Sequence, residues 1–265
     1  WDDLHHIAFS ETDGIHDGRW VFGNGNNTPR IARIDLKTFR TTEIIEIPNS
    51  GGNHSSPFIT ENSEYVVAGT RFSVPMDNTN GDVPINTYKQ NFKGTVSFIG
   101  VDKETGGMKI AFQILLPGVN FDLARAGKGA SHGWFFVSCY NSERANTLLE
   151  VNASQKDKDF IMAVNWKKAE EYIKAGKGKK VPVRYAHNVW EEKTHTGKSE
   201  IIKEVLVLDA KELTDICYMI PCPKSPHGCD TDPTGEYIIG SGKLAALIPV
   251  FSFTKIQAAI ANKEF

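Results

Sequence analysis

Along most of the chain, apolar and polar residues alternate in short runs that stop at Gly, Pro, Asn or Asp. That is the pattern of half-buried strands joined by tight turns. Residues 14–48 (GIHDGRWVFGNGNNTPRIARIDLKTFRTTEIIEIP) hold a β-rich run at 20–22, a Gly/Asn turn, a second run at 31–35, a Lys-Thr turn and a third run at 43–47. Variations follow: EYVVAGTRF from Glu64, GTVSFIGVDKETGGMKIAFQILLP over 94–117, GWFFVSCYNSE from Gly133, FIMAVNW from Phe160, KEVLVLDAKELTDICYMIPCP from Lys203 and PTGEYIIGSGKLAALIPVFSF from Pro233. The unit is a D-x-x-G-x-[YW] opening, two or three strands, an I/V-D-x-K/E-T hairpin and a closing strand that ends in Pro. Each unit is a small antiparallel sheet that cannot bury both faces alone, and stacking such sheets around an axis solves the problem. The expectation is an all-β chain, a partial β-propeller of about three to four blades. Two helical insertions interrupt it: Trp166, Ala169 and Ile173 with Gly176 as the stop, and Phe253, Ile256 and Ile260. Their apolar stripes are expected to pack on blade edges.

Composition changes this picture little. The 265 residues, 40% hydrophobic, suffice for a packed core, and 30 Lys plus Arg against 32 Asp plus Glu leave a net charge of −2. The one basic run, GKGKK at 176–180, fits a solvated loop, so no nucleic-acid partner is expected. No apolar run approaches the ~18 residues of a membrane span. Trp1 in place of Met and a stop at Phe265 directly after a helical pattern suggest a piece of a longer protein. Four cysteines (Cys139, Cys217, Cys222, Cys229) form neither a disulfide framework nor a metal spacing and read as small buried hydrophobes.

The candidate chemistry lies in the histidines. His5 and His6 stand before the first blade-like unit. Adjacent strand residues point to opposite faces, so the pair is expected to reach one site only from a turn or a strand end. His54 (GGNHSSP) and His227 (KSPHGCD) sit on turns leading into strands, and equivalent turns of a propeller converge near its axis. Asp3 is placed to orient an imidazole. Imidazoles alone suit zinc, copper, iron or nickel and leave the metal open.

The motifs DLHHIAFSETDG-x-x-DGRW, N-x-x-x-RIARIDL, GNHSSPF-x-TENSEYVVAGTRFS-x-P, CYNSERANTLLEV-x-ASQKDKDFIMAVNW and KSPHG-x-D-x-x-PTGEYI-x-GSGKL resemble nitrous-oxide reductase, in the non-classical of its two sequence groups. The resemblance runs from Asp3 to Phe265. It implies that residues 1–265 are part of an N-terminal seven-bladed propeller, with the remaining blades and a C-terminal cupredoxin domain carrying a two-copper site absent. It also implies a four-copper sulfide cluster held by seven histidines, of which His5, His6, His54 and His227 match the motifs; His16, His132, His187 and His195 match none and are expected at the surface. Tyr140, Glu143, Val151 and Asp157 are carried over as a calcium site, from which Ser225 departs, and Asp122 as an acid above the cluster.

The function so implied is reduction of nitrous oxide to dinitrogen and water, the last step of denitrification. The resemblance further implies a periplasmic head-to-tail homodimer fed by an electron donor such as a c-type cytochrome or cupredoxin, and this chain alone should be inactive. The alternatives are a non-enzymatic propeller binding module and a zinc hydrolase built on the His5–His6 pair. The hydrolase lacks an H-E-x-x-H helix.

Overall fold

In the computed structural model, residues 4–26, 28–53, 57–70, 74–75, 92–116, 120–141, 159–183, 203–223, 226–242 and 245–264 are described. The first sheet is a meander of β1 (Leu4–Thr12), β2 (Ile15–Gly25), β3 (Arg30–Asp35) and β4 (Arg40–Glu46). The second meander is β5 (Phe58–Ile59) and β6 (Tyr65–Gly69), then, after a small β7 (Val74–Pro75)–β8 (Phe92–Lys93) ladder, β9 (Thr95–Val101) and β10 (Met108–Leu115). The third is β11 (Asn120–Ala126), β12 (Trp134–Asn141), β13 (Phe160–Asn165) and β16 (Cys217–Pro221). The fourth is β17 (Pro226–Thr231), β18 (Tyr237–Gly242) and β19 (Val250–Ser252). These four sheets are blades of a partial β-propeller, as the repeat predicts.

What stacks them is the two-residue period of the strand. Val66 faces the first blade and Val67 the third; Phe98 and Ile99 divide the same way, as do Phe135 and Phe136 and then Ile161 and Met162 around the third blade. Three apolar wedges result. Trp20, Phe22 and Ile31 meet Val66 and Ile99 in the first; Phe58, Phe98 and Phe112 meet Phe121 and Phe135 in the second; Phe136 and Ile161 meet Ile238 in the third. Each buried Phe there stabilises the stack by about 1.5–3 kcal/mol.

The innermost strands run parallel. Asp122 and His227 touch near the starts of β11 and β17, and Thr231 Oγ1 donates to the Ala126 carbonyl at 2.9 Å at their ends. Asn24 links His6, early in β1, to Asn53 ahead of β5, and Ser63 Oγ donates to the Glu11 carbonyl at 2.7 Å beyond the far end. The starts of the inner strands therefore share one end of the axis.

Two features depart from the simple repeat. The segment KEVLVLDAKELT forms no hairpin of its own. Its β15 (Glu204–Asp209) adds in parallel to the outer strand β10, pairing Gln113 with Val207, and β14 (Lys179–Pro182) extends that edge. The chain then returns through Asp209 to β16, so the third blade's insertion covers the second blade's edge strand. The helices also do more than cover edges. In α1 (Trp166–Lys174), capped by Asn165 accepting from the Lys168 N–H at 2.9 Å, Trp166 packs 5.8 Å from the Tyr65 ring, and Tyr65 donates to Glu170 at 2.7 Å. In α2 (Phe253–Ala261), Phe253 lies 5.7 Å from Trp134. Each helix is thus wedged against the preceding blade.

The turns are held by repeated carboxylates. Asp35 accepts from the Thr38 N–H and hydroxyl, Asp102 from those of Thr105, and Asp232 from the Thr234 hydroxyl and the Tyr237 N–H. The Thr38 N–H holds Asp35, the Thr105 N–H Asp102 and the Thr234 hydroxyl Asp232 below the ordinary 3.8. A carboxyl depressed on folding contributes stability that is complete above its unfolded value and lost as pH falls through the folded one. The triple variant Asp35→Asn, Asp102→Asn, Asp232→Asn is therefore expected to flatten the decline of stability below pH 3.8 in urea titrations, with the neutral-pH difference at its largest.

Gly235 sits at φ +72 with the Lys128 carbonyl oxygen 1.5 Å from where a Cβ would stand, whereas Gly18 at φ +71 has nothing within 4 Å. Gly18→Ala is expected to cost about 1–2 kcal/mol of backbone strain alone. Gly235→Ala is expected to cost roughly 1–3 kcal/mol more, because the third and fourth blades must part. Paired urea melts measure the difference.

Candidate metal centre

His5 and His6 reach one side by a device other than a turn. Leu4 pairs with Gly25 and Ile7 with Gly23, so two residues of β1 stand opposite the single Asn24 of β2. This β-bulge breaks the alternation that would send the two imidazoles to opposite faces. Their ring centroids lie 4.4 Å apart at 72°. The ladder bond lost at the bulge is replaced by a side chain: the His6 N–H donates to Asn24 Oδ1 at 2.7 Å. The pair is the second and third residue of β1, near the strand end that the sequence calls for, and the bulge is what turns both rings to one side.

His227 is the second residue of β17, and its ring is half-exposed at 48% while the Asp122 side chain is 1% exposed. His227 Nδ1 lies 2.6 Å from Asp122 Oδ2. A carboxylate at that distance favours the tautomer with hydrogen on Nδ1, which turns the Nε2 lone pair outward as a donor. The backbone on either side is clamped. Ser138 Oγ, buried on β12, donates to the His227 carbonyl at 2.7 Å and accepts from the Leu123 N–H at 3.2 Å, and Ser241 Oγ accepts from the Gly228 N–H at 2.7 Å. One cavity of about 390 Å³ at this end is lined by His6 together with Leu123, Arg125, Gly228, Asp230 and Ser241. It therefore joins the histidine end of β1 to the strands that carry Asp122 and His227.

Among the described residues, no group of three His, Cys, Asp or Glu is arranged to hold one ion. The donor chemistry nevertheless fits an imidazole-bound metal. Two rings share a side, and a third is oriented by a buried carboxylate. His54 and Asp3 lie outside the described residues. So do Glu143, Val151, Asp157 and Ser225 of the calcium assignment, while Tyr140 belongs to β12.

The histidines without ligand motifs divide. His16 is exposed and lies 3.5 Å from Glu11, but His132 is partly buried, 2.8 Å from Glu61 and 5.5 Å from the Trp166 ring, so it is not a plain surface residue. Its neighbour Lys128 pairs with Glu11 at 2.8 Å. His187 and His195 fall outside the described residues. None of the four cysteines forms a disulfide; burial pushes the thiol of Cys222 up to about 11 and raises that of Cys229.

Two polar residues of this end carried no obvious signal, Asn24 and Ser138. The hint available was a polar side chain inside an apolar run, as in FVSCY, and an Asn where a strand disfavours it.

No family model matches the sequence. Among curated proteins, the nitrous-oxide reductase of Pseudomonas fluorescens is 30% identical over 267 residues, covering 96% of this chain and 36% of the relative. That of Stutzerimonas stutzeri is 28% identical, covering 98% and 37%. Among solved structures, Kuenenia stuttgartiensis hydrazine synthase matches with a TM-score of 0.52 at 13% identity over 93% of this chain and 57% of that one, a likeness of fold alone. The chain spans little more than a third of the length of these curated relatives, and across nearly all of its own length it is homologous to the nitrous-oxide reductases.

Proposed function

We propose that this chain is the part of a copper-dependent nitrous-oxide reductase that contributes His5, His6, His54 and His227 to a copper–sulfide cluster. The observation that carries it is that a bulged His5–His6 pair and an Asp122–His227 couple both stand at the starts of inner strands, in a chain homologous to that family. Bound there, the cluster would supply electrons to nitrous oxide, a weak ligand and an inert molecule, which two electrons and two protons convert to dinitrogen and water.

The protein's own contribution is orientation. The Asp122 carboxylate at 2.6 Å favours the His227 tautomer with hydrogen on Nδ1, which leaves Nε2 as the atom to face a metal. Ser138 and Ser241 keep that residue's backbone from turning. The bulge keeps two adjacent rings on one side. The same proposal includes calcium at the Tyr140 segment, a periplasmic head-to-tail dimer, and electrons from a c-type cytochrome or cupredoxin through a two-copper domain outside this chain.

In the intact protein, His227→Ala is expected to lower copper per protomer and nitrous-oxide reduction with an artificial reductant by about 10–100-fold or more, while circular dichroism stays that of the folded propeller. His16→Ala, at the start of β2 and opposite Glu11, is expected to change neither. Equal copper in both variants would return the chain to the binding-module alternative.

Asp122→Asn keeps the shape and removes the charge. Ring ¹⁵N shifts of copper-free protein are expected to report His227 with hydrogen on Nδ1 in the parent and a mixture of tautomers in the variant. Copper affinity is expected to fall by about 10–100-fold.

A further inference from the structure

We infer that Asn24 is the positioning residue of this site, one buried carboxamide that holds the peptide groups of both histidine segments of the first two blades. This rests on the copper reading above and adds to it a residue that is not a ligand. Asn24 is fully buried. Its Oδ1 accepts from the His6 N–H at 2.7 Å, and that N–H belongs to the peptide joining His5 to His6. Its Nδ2 donates to the Asn53 carbonyl, and that carbonyl belongs to the peptide joining Asn53 to His54. Only this orientation of the amide satisfies both partners, since a donor must face the carbonyl and an acceptor the N–H.

The geometry makes the role specific. Asn24 is the one residue opposite the two-residue bulge, between the Leu4–Gly25 and Ile7–Gly23 pairs. A bulge leaves a backbone N–H without its ladder partner, and a buried N–H must be satisfied from elsewhere. The Asn24 side chain is the acceptor that makes the bulge stable. Its other end fixes the segment ahead of β5, whose Asn53 is itself fully buried. No other side chain combines an acceptor and a donor of this reach. Asp of the same shape lacks the donor, and Leu of similar volume lacks both.

Asn24→Leu and Asn24→Asp in the intact protein separate the two links. In copper-free protein, the His6 amide of Asn24→Leu is expected to exchange with deuterium about tenfold faster than in the parent, as a lost buried hydrogen bond requires. The amides of Val21 and Phe22 in the same sheet are expected to stay unchanged. Asn24→Asp keeps the acceptor for His6, so that amide is expected to remain slow, while a carboxylate now opposes the Asn53 carbonyl. Copper affinity, measured by competition with a chromophoric chelator, is expected to fall about 10–100-fold in both variants. Parent-like exchange at His6 in Asn24→Leu, or parent-like copper affinity in Asn24→Asp, overturns the assignment. Should Asn24→Leu fail to fold, the copper affinity of Asn24→Asp decides alone. A parent protein that takes up no copper sinks the metal reading instead, and the exchange comparison still decides whether Asn24 holds the bulge.

Discussion

The second and third sheets of this chain are apolar on both faces, and water is kept from both. Val66 and Val67, Phe98 and Ile99, Phe135 and Phe136 are neighbours in sequence that reach different wedges, each with almost no exposed surface. Such a sheet has no stable existence alone; it requires another sheet on both sides. Stacking twisted sheets face to face with their first strands together aligns those strands in parallel, and that alignment brings His5, His6, Asp122 and His227 to a common end. The site is a consequence of how the apolar wedges are closed.

The two ends of the axis are built differently. At the far end, charged groups tie blades together: Lys128 reaches Glu11 at 2.8 Å and His132 reaches Glu61 at 2.8 Å, while the Gly129 N–H donates to Glu61 at 3.0 Å. At the histidine end, the neutral Asn24 and Ser138 join blades, and an Arg125–Asp230 pair at 2.9 Å lines the cavity that His6 faces. Asn24, Ser138 and Ser241 satisfy backbone atoms and carry no charge of their own. Asp122 is the buried carboxylate in contact with a candidate ligand, and a negative charge there favours both the required tautomer and the metal.

The alternation of residues and the turn chemistry were enough to call for blades, and the strands, helix starts and Asp-Thr turns stand where those signals placed them. Helix caps and carboxylate turns depend on residues within a few positions of one another, which a sequence displays directly. The parallel addition of β15 to β10 was not legible, because Gln113 and Val207 are far apart in sequence and any apolar run can pair with any open edge. The His132 environment was hidden for the same reason: Glu61 comes from the second blade and Trp166 from a helix more than thirty residues further along the chain.

For the site, the sequence by itself determined which histidines stand in motif-bearing segments and that a propeller could gather them. It could not determine how two adjacent strand residues face one side. Strand periodicity forbids that, and only a bulge, set by the register between β1 and β2, permits it. Nor could it give the 2.6 Å contact by which Asp122 meets His227, since that contact joins residues of two different blades. Local spacing encodes turns, caps and face alternation, because these are short-range sterics and hydrogen bonding. Register and contacts between blades are settled by burying every apolar face at once, which only the assembled tertiary structure does.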